Sequence, residues 1–317
     1  MSKLENLVFS GGGVRGISFI GCLEALNEYN MLDNIESISG TSIGSIITLG
    51  LVLGYTVSEI KKIFLNLDLN RILDINEEYI LDYINCFGVD NGDKFKKVIS
   101  IIIKKKLNVN SITFEELYKK TNIEMNIVAT CINDYKEVIY NYKDTPNQDV
   151  MNAIYNSSCV PYYYIPNKIE SKMYVDGGIV NNFPIEIYKD KILNTIGFSL
   201  ISGEDGIKEI TNLLSYTYSM MMCMSEKINI YKNIKYKKNI VNIVNRISSF
   251  DFSITLEDKQ ELISEGYNAT IEYLKENTDF IYYKIIEEII QELIEKVLNN
   301  LNKEEIEEIE EIEEIKL

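Results

Sequence analysis

Leu7-Val8-Phe9-Ser10-Gly11-Gly12-Gly13-Val14-Arg15-Gly16 is a short apolar run that breaks into glycine and then resumes as helix-spaced apolar residues through Tyr29. An apolar triplet closed by glycines reads as a buried strand ending in a tight turn, and the period that follows predicts a helix over 16–29. Strand, turn and helix in that order open an α/β fold. Consecutive backbone N–H groups at the positive end of a helix suit an anion above them. Taken alone the loop stays open to three readings. Gly11, Gly13 and Gly16 satisfy the dinucleotide fingerprint G-x-G-x-x-G, the same N–H groups suit an oxyanion, and the glycines suit a plain tight turn.

The pattern then repeats. Residues 35–39 read as a second short strand, Gly40-Thr41-Ser42-Ile43-Gly44 as a sharp turn, and 43–53 as an apolar helix. A G-x-S-x-G string between strand and helix is the pattern of a nucleophile elbow, which lifts a serine hydroxyl clear of the sheet between small neighbours. The competing reading is a helix capped by Thr41 or Ser42. Lys-dotted helices fill 58–120, residues 127–131 and 138–142 read as paired strands, and Met173-Tyr174-Val175 reads as a strand ending on Asp176. This order implies a mostly parallel sheet flanked by helices over 5–195. From 196 to 283 the pattern is mainly helical, with Ile210, Leu213, Leu214, Met221, Met224 and Ile228 spaced as one face, and this part is expected to complete or cover the core.

Composition removes whole classes of chemistry. The 317 residues include no histidine, which excludes a Ser-His-Asp relay, a Cys-His pair and a zinc site with imidazole ligands. Acid-base work falls to carboxylates, Tyr, Lys or Cys. With 32 basic against 48 acidic residues the net charge is −16, the wrong sign for a nucleic-acid binder. Cys22, Cys86, Cys131, Cys159 and Cys223 form no CxxC pair and one is left over, which reads as reduced thiols used as core filler.

The start, Met1-Ser2-Lys3-Leu4-Glu5, lacks the long apolar region of a secretory signal, and residues 43–54 are too short to span a bilayer, which takes about 20 residues. The expectation is an intracellular chain, soluble or peripherally membrane-associated. Residues 284–317 carry 12 Glu against 4 Lys, half of the whole excess charge. Ile306, Ile309, Ile312 and Ile315 recur every three residues there and smear around a helix, so a solvated, fraying helix or disordered acidic tail without chemistry is expected.

Asp176-Gly177-Gly178 reads alone as a hairpin turn. In a chain without imidazole that carries a serine elbow, a strand-terminal aspartate is a reasonable base. With this triplet in place the sequence resembles the patatin-like phospholipase family. The Gly11–Gly16 loop, the Gly40–Gly44 elbow about 30 residues later and Asp176-Gly177-Gly178 stand in the family's order. Asn156-Ser157-Ser158-Cys159-Val160-Pro161 through Pro166 is similar to its Ser-Ser-x-x-Pro segment, and Asn181-Asn182-Phe183-Pro184 to the residues that usually follow the aspartate. Ser10 stands where many members have Asp.

The resemblance covers about 7–184 and implies a three-layer α/β/α fold and a lipid acyl hydrolase of phospholipase A type. Ser42 would be the nucleophile and Asp176 the base. Gly11, Gly12 and Gly13 would hold the oxyanion. Arg15 would support that loop electrostatically or pair with an acid, the structural role being preferred, and Gly16, Gly40, Gly44, Gly177 and Gly178 would shape the turns. This chemistry needs neither cofactor nor metal. The implied partner is a phospholipid or other acyl lipid, with transient membrane contact and no nucleic acid.

Two other functions remain open at this stage. One is a dinucleotide-binding protein using Gly11, Gly13 and Gly16, for which Glu36 lies about 20 residues on but at the start of its strand, and which would leave the serine elbow idle. The other is a non-catalytic interaction protein whose acidic helix recruits a partner and whose dyad is vestigial. Three local expectations complete the reading. Lys227, Lys232, Lys235, Lys237 and Lys238, with Tyr231 and Tyr236, form a solvated helix face in preference to a lipid-binding patch. Met220-Met221-Met222-Cys223-Met224 packs in the core in preference to lining an acyl cavity, and Tyr162-Tyr163-Tyr164 is balanced between core and pocket.

Overall fold

The computed structural model describes residues 3–202, 210, 213–277, 289, 290, 293, 294 and 296. The expected acidic tail, and the side chains of Leu213, Leu214, Met221, Met222, Met224 and Lys227, lie outside the described residues.

Eight strands form one sheet: β1 (Asn6–Phe9), β2 (Ser37–Thr41), β3 (Glu124–Cys131), β4 (Lys136–Tyr140), β5 (Asn167–Ile169), β6 (Lys172–Asp176), β7 (Thr195–Ser202) and β8 (Ile240–Asn245). Around them run α1 (Ser18–Glu28), α2 (Ile43–Val52), α3 (Val57–Asn66), α4 (Glu77–Leu81), α5 (Tyr83–Cys86), α6 (Asp93–Leu107), α7 (Phe114–Thr121), α8 (Val150–Ser158), α9 (Leu213–Lys235) and α10 (Leu256–Glu276). The strand order is β5-β6-β3-β2-β1-β7-β8, with β4 also on β3. The sheet is mixed and mostly parallel, as expected, with helices on both faces. β1 pairs in parallel with both β2 and β7, β2 with β3 and β7 with β8, while β4, β5 and β6 are antiparallel additions.

The central strand shows why both faces need cover. Leu7 and Phe9 point into the large core, where the Phe9 ring stacks on Phe198 at 5.3 Å and meets Phe19 edge-on at 5.2 Å. Val8, one residue out of phase, points the other way into a smaller core with Phe183, Ile185, Tyr188, Tyr236 and Ile240. A strand buried on both faces reads as a continuous apolar run, which is how Leu7-Val8-Phe9 looks in the sequence.

The part beyond 195 contains two strands as well as helices. β7 lies beside β1 in the centre of the sheet and β8 extends it. α10 then packs on α1 at backbone contact, because Gly21 and Gly266 face each other's helices: a Cβ at Gly21 would collide with the Ile263 carbonyl, and one at Gly266 with the Ser18 carbonyl. The buried ammonium of Lys259 on α10 donates to the carbonyls of Phe64 at 3.0 Å and Leu67 at 2.6 Å, satisfying the open carbonyl end of α3. Of the expected apolar face in this part, Ile210 and Ile228 are exposed. Among the described residues no helix is long and apolar enough to cross a membrane.

Candidate active site

The register of β3 decides what meets what. β2 runs along one edge of β3 as far as Thr41 opposite Val128, and β6 takes over at Asp176 opposite Ala129, running the other way. Because β4 occupies the opposite edge over residues 127–131, β2 and β6 share a single edge and meet head to head. The residue that follows β2 is Ser42 and the last residue of β6 is Asp176. Gly177 sits in the junction, where a Cβ would collide with the Val128 carbonyl and stand 2.9 Å from Thr41 Cγ2.

Ser42 turns the chain from β2 into α2 with φ 53° and ψ −123°, a left-handed conformation that costs a non-glycine residue on the order of 1–3 kcal/mol. The surroundings enforce it. The Ser42 carbonyl accepts from Ser45 N at 2.8 Å and from Ser45 Oγ at 2.6 Å, and its N–H donates to Ser157 Oγ at 2.9 Å. Gly44 passes so close under β1 that any side chain would strike the Phe9 carbonyl.

Asp176 is 3% exposed. Its carboxyl accepts hydrogen bonds from the Ser42 side chain and from Gly178 N–H, the latter at 2.7 Å, and both hold the pKa down. Burial in a low-dielectric site opposes them and is the larger effect, so the pKa is pushed up from 3.8 to about 6. The result is a carboxylate ionised at neutral pH yet more basic than an exposed aspartate.

Gly11–Gly13 lie beside this pair. Gly11 is packed against Ser42, whose Cβ would stand 3.3 Å from a Gly11 Cβ. Its N–H is already committed to the Asn182 carbonyl at 3.0 Å, which makes Gly11 a fastening point rather than a free donor. The N–H groups of Gly12 and Gly13 have no acceptor among the described residues. Gly13 adopts φ 59° beneath Ser249, and the Ser249 carbonyl accepts Val14 N–H at 2.9 Å. Arg15 is buried, and Gly16 packs flush against the Ile43 side chain.

Several residues of the site carry no sequence signal for their role. Ser157 lies in the quoted Ser-Ser segment, but its role as a strut between Ser42 N–H and the Val128 carbonyl follows only from the fold. Asn181 accepts Thr41 Oγ1 on its carbonyl at 3.0 Å, and Asn182 receives Gly11 N–H, so residues 177–183 tie the acid, the elbow and the glycine loop together. Glu36 precedes β2, at the end of the sheet away from the glycine loop, and does not reach a nucleotide there.

An apolar cavity of about 350 Å³ adjoins the acid. Val175 and Ile179, on either side of the Asp176 turn, line it together with the buried Thr217 and the exposed Phe87, Tyr162 and Met220. Of the three consecutive tyrosines only Tyr162 is there; Tyr163 and Tyr164 are buried in the core. Met220 corrects the expectation of core packing, since it is half exposed on the cavity wall, and Cys223 is exposed. The expectation of a solvated lysine face also needs correction. Lys235, Lys237 and Lys238 are exposed, but Lys232 and Tyr236 are buried.

The family model for patatin-like phospholipase matches residues 7–188. An uncharacterised protein, R571, of Acanthamoeba polyphaga mimivirus is 31% identical over 281 residues, covering 84% of this chain and 93% of its own. A probable lipid hydrolase, 463L, of Invertebrate iridescent virus 6 is 30% identical over 261 residues, covering 81% of this chain and 84% of its own. Among solved structures, VipD from Legionella pneumophila superposes with a TM-score of 0.61 at 19% identity, over 87% of this chain and 67% of that one, a likeness of fold.

Proposed function

Since the chain belongs to the patatin-like phospholipase family, whose members are lipid hydrolases, we propose that it cleaves carboxylic esters of phospholipids or related acyl lipids through a Ser42 acyl-enzyme with Asp176 as base. The observation that carries this reading is the strained Ser42 turn hydrogen-bonded to a buried carboxylate whose pKa is near 6. Ser42 Oγ attacks the ester carbonyl carbon as its proton passes to Asp176. The oxygen that gains charge is held by the N–H groups of Gly12 and Gly13, donors of a kind worth about 3–4 kcal/mol each. Asp176 returns the proton to the departing alcohol. A water then attacks the acyl-enzyme, giving its proton to Asp176 and releasing the fatty acid as Ser42 recovers its hydrogen.

The cavity supports a hydrocarbon chain as the acyl part, since its lining is almost wholly apolar and includes Val175 and Ile179 on either side of the Asp176 turn. Its mouth supports delivery from a lipid surface. Phe87, Tyr162 and Met220 are about half exposed there, and Leu81 and Ile84 on the neighbouring α4 and α5 are 90% and 86% exposed. Tyr83 Oη donates to the Tyr162 carbonyl at 3.1 Å, which holds α5 at that rim. Such a cluster of exposed large apolar side chains is what transient contact with a membrane surface requires. On this reading residues 196–283 complete the catalytic unit and are not an appendage to it.

A fluorophosphonate probe tests the reaction. Labelling at Ser42, abolished in Ser42→Ala with the fold retained, is the expected result; a wild-type protein that hydrolyses acyl lipid without labelling at Ser42 overturns the mechanism.

A further inference from the structure

Lys232 is the last residue one expects to find in an apolar interior, since it sits in a lysine-rich stretch of α9 with solvent within reach. It is 2% exposed. Its ammonium donates to Asn181 Oδ1 at 2.6 Å and to the Phe183 carbonyl at 2.9 Å, and lies 3.7 Å from Glu186 Oε2. Burying an ammonium costs several kcal/mol unless its protons find partners, so all of its donors are turned to one short segment. Burial pushes the pKa of Lys232 down, while Glu186 and Glu137 oppose the shift.

That segment is the one that organises the site. Asn181 N–H closes the turn after Asp176 onto the Gly177 carbonyl at 2.9 Å, and the Asn181 carbonyl receives Thr41 Oγ1 at 3.0 Å, one residue before Ser42. The next residue, Asn182, receives Gly11 N–H. At its other end Lys232 belongs to α9, which carries Thr217 and Met220 into the wall of the apolar cavity. One side chain therefore joins the helix that would feel an acyl chain to the loop that sets the acid, the elbow and the glycine turn.

We infer that Lys232 is a positioning residue that couples occupancy of the apolar cavity to the geometry of the Ser42–Asp176 pair. The inference rests on the acyl-hydrolase reading above. A chain that fills the cavity seats α9, and Lys232 transmits that seating to residues 177–183. The reactivity of Ser42 then depends on acyl length, not binding alone.

The test uses the full-length chain and two fluorophosphonates, one with an ethyl group and one with a long alkyl chain, with labelling rates at saturation as the readout and thermal unfolding as the control. The wild type is expected to react faster with the long-chain probe. Lys232→Met, which keeps the length and removes the donors, is expected to slow labelling about tenfold or more and to bring the ratio of the two rates towards one. Asn181→Ala should do the same, and the double variant should be no slower than either single one, because both act through one contact. A Lys232→Met protein that keeps the wild-type rate and ratio overturns the inference. So does one that slows both probes equally with an additive double variant, which is the signature of general destabilisation. Should Lys232→Met not fold, Asn181→Ala alone carries the same comparison. Failure of the wild type to label at Ser42 refutes the hydrolase reading itself, and this inference with it.

Discussion

The Ser157 hydroxyl holds the Ser42 elbow in place: its Oγ accepts Ser42 N–H at 2.9 Å while donating its own hydrogen to the Val128 carbonyl. Ser157 is fully buried, as is its bond to the Val128 carbonyl, while its bond to Ser42 N–H is partly buried. Ser157→Ala removes the acceptor of a strained N–H and the donor to a buried strand carbonyl together. We expect a loss of about 1–3 kcal/mol in chemical denaturation and slower fluorophosphonate labelling of Ser42. A variant with unchanged stability and labelling would show that the elbow does not need this strut.

The pH dependence follows from Asp176. Its ordinary value of 3.8 is raised to about 6 in the folded protein, so the stability that this group supplies is full below about pH 4 and is lost as pH rises through 6. On the proposed mechanism activity runs the other way, since Asp176 must be ionised to act as base. Activity should be half-maximal near pH 6 on the acid side, with no second limb from an imidazole. Asp176→Asn should be inactive yet more stable than the parent at pH 8, by on the order of 2–3 kcal/mol, with the gap closing below about pH 4. Denaturation curves at the two pH values check the sign.

Gly44→Ala should cost about 3 kcal/mol or more, because the added methyl meets the Phe9 carbonyl on the central strand and neither backbone has room to shift. Gly54→Ala is the contrasting case. Nothing lies near its Cβ position, but its φ of 72° strains a side chain, so it should cost only about 1 kcal/mol. Thermal melts of the two variants separate collision from backbone strain.

The chain has no tryptophan, which makes any introduced one a clean reporter. Leu81→Trp and Ile84→Trp should shift their emission to the blue on adding phosphatidylcholine vesicles. Leu193→Trp, 70% exposed beyond the opposite end of β1, should not. Ile84→Asp should lose activity on vesicles and keep it on a soluble short-chain ester. Blue shifts at all three positions, or at none, would remove the rim from the account.

What could be read from the sequence was local. The first strand, the glycine turn, the Ser42 turn and the strand ending at Asp176 each fall within a few residues, where period and turn chemistry speak directly. Register did not show. Nothing in 37–41 or 172–176 says that two strands share one edge of β3, and that sharing brings Ser42 to Asp176. Nothing local marks β7 as a neighbour of β1, because about 190 residues separate them. Lys232 was hidden among lysines of the same helix, since burial depends on what faces a residue and not on its own type. The loop around Gly11 invites anions, yet the carbonyl that takes the Gly11 N–H comes from residue 182, far along the chain.

The support beneath Gly13 arrives late. Ser249 lies after β8, so the ribosome has to pass about residue 250 before the glycine loop at 11–16 acquires its backstop. The serine turn and Asp176 are translated within the first 180 residues, and the piece that backs the glycine loop comes some 70 residues later. Vectorial synthesis therefore orders assembly: on the proposed mechanism a growing chain carries Ser42 long before the glycine loop that would hold a tetrahedral adduct is backed, and a stop codon anywhere before β8 yields a fragment without that support.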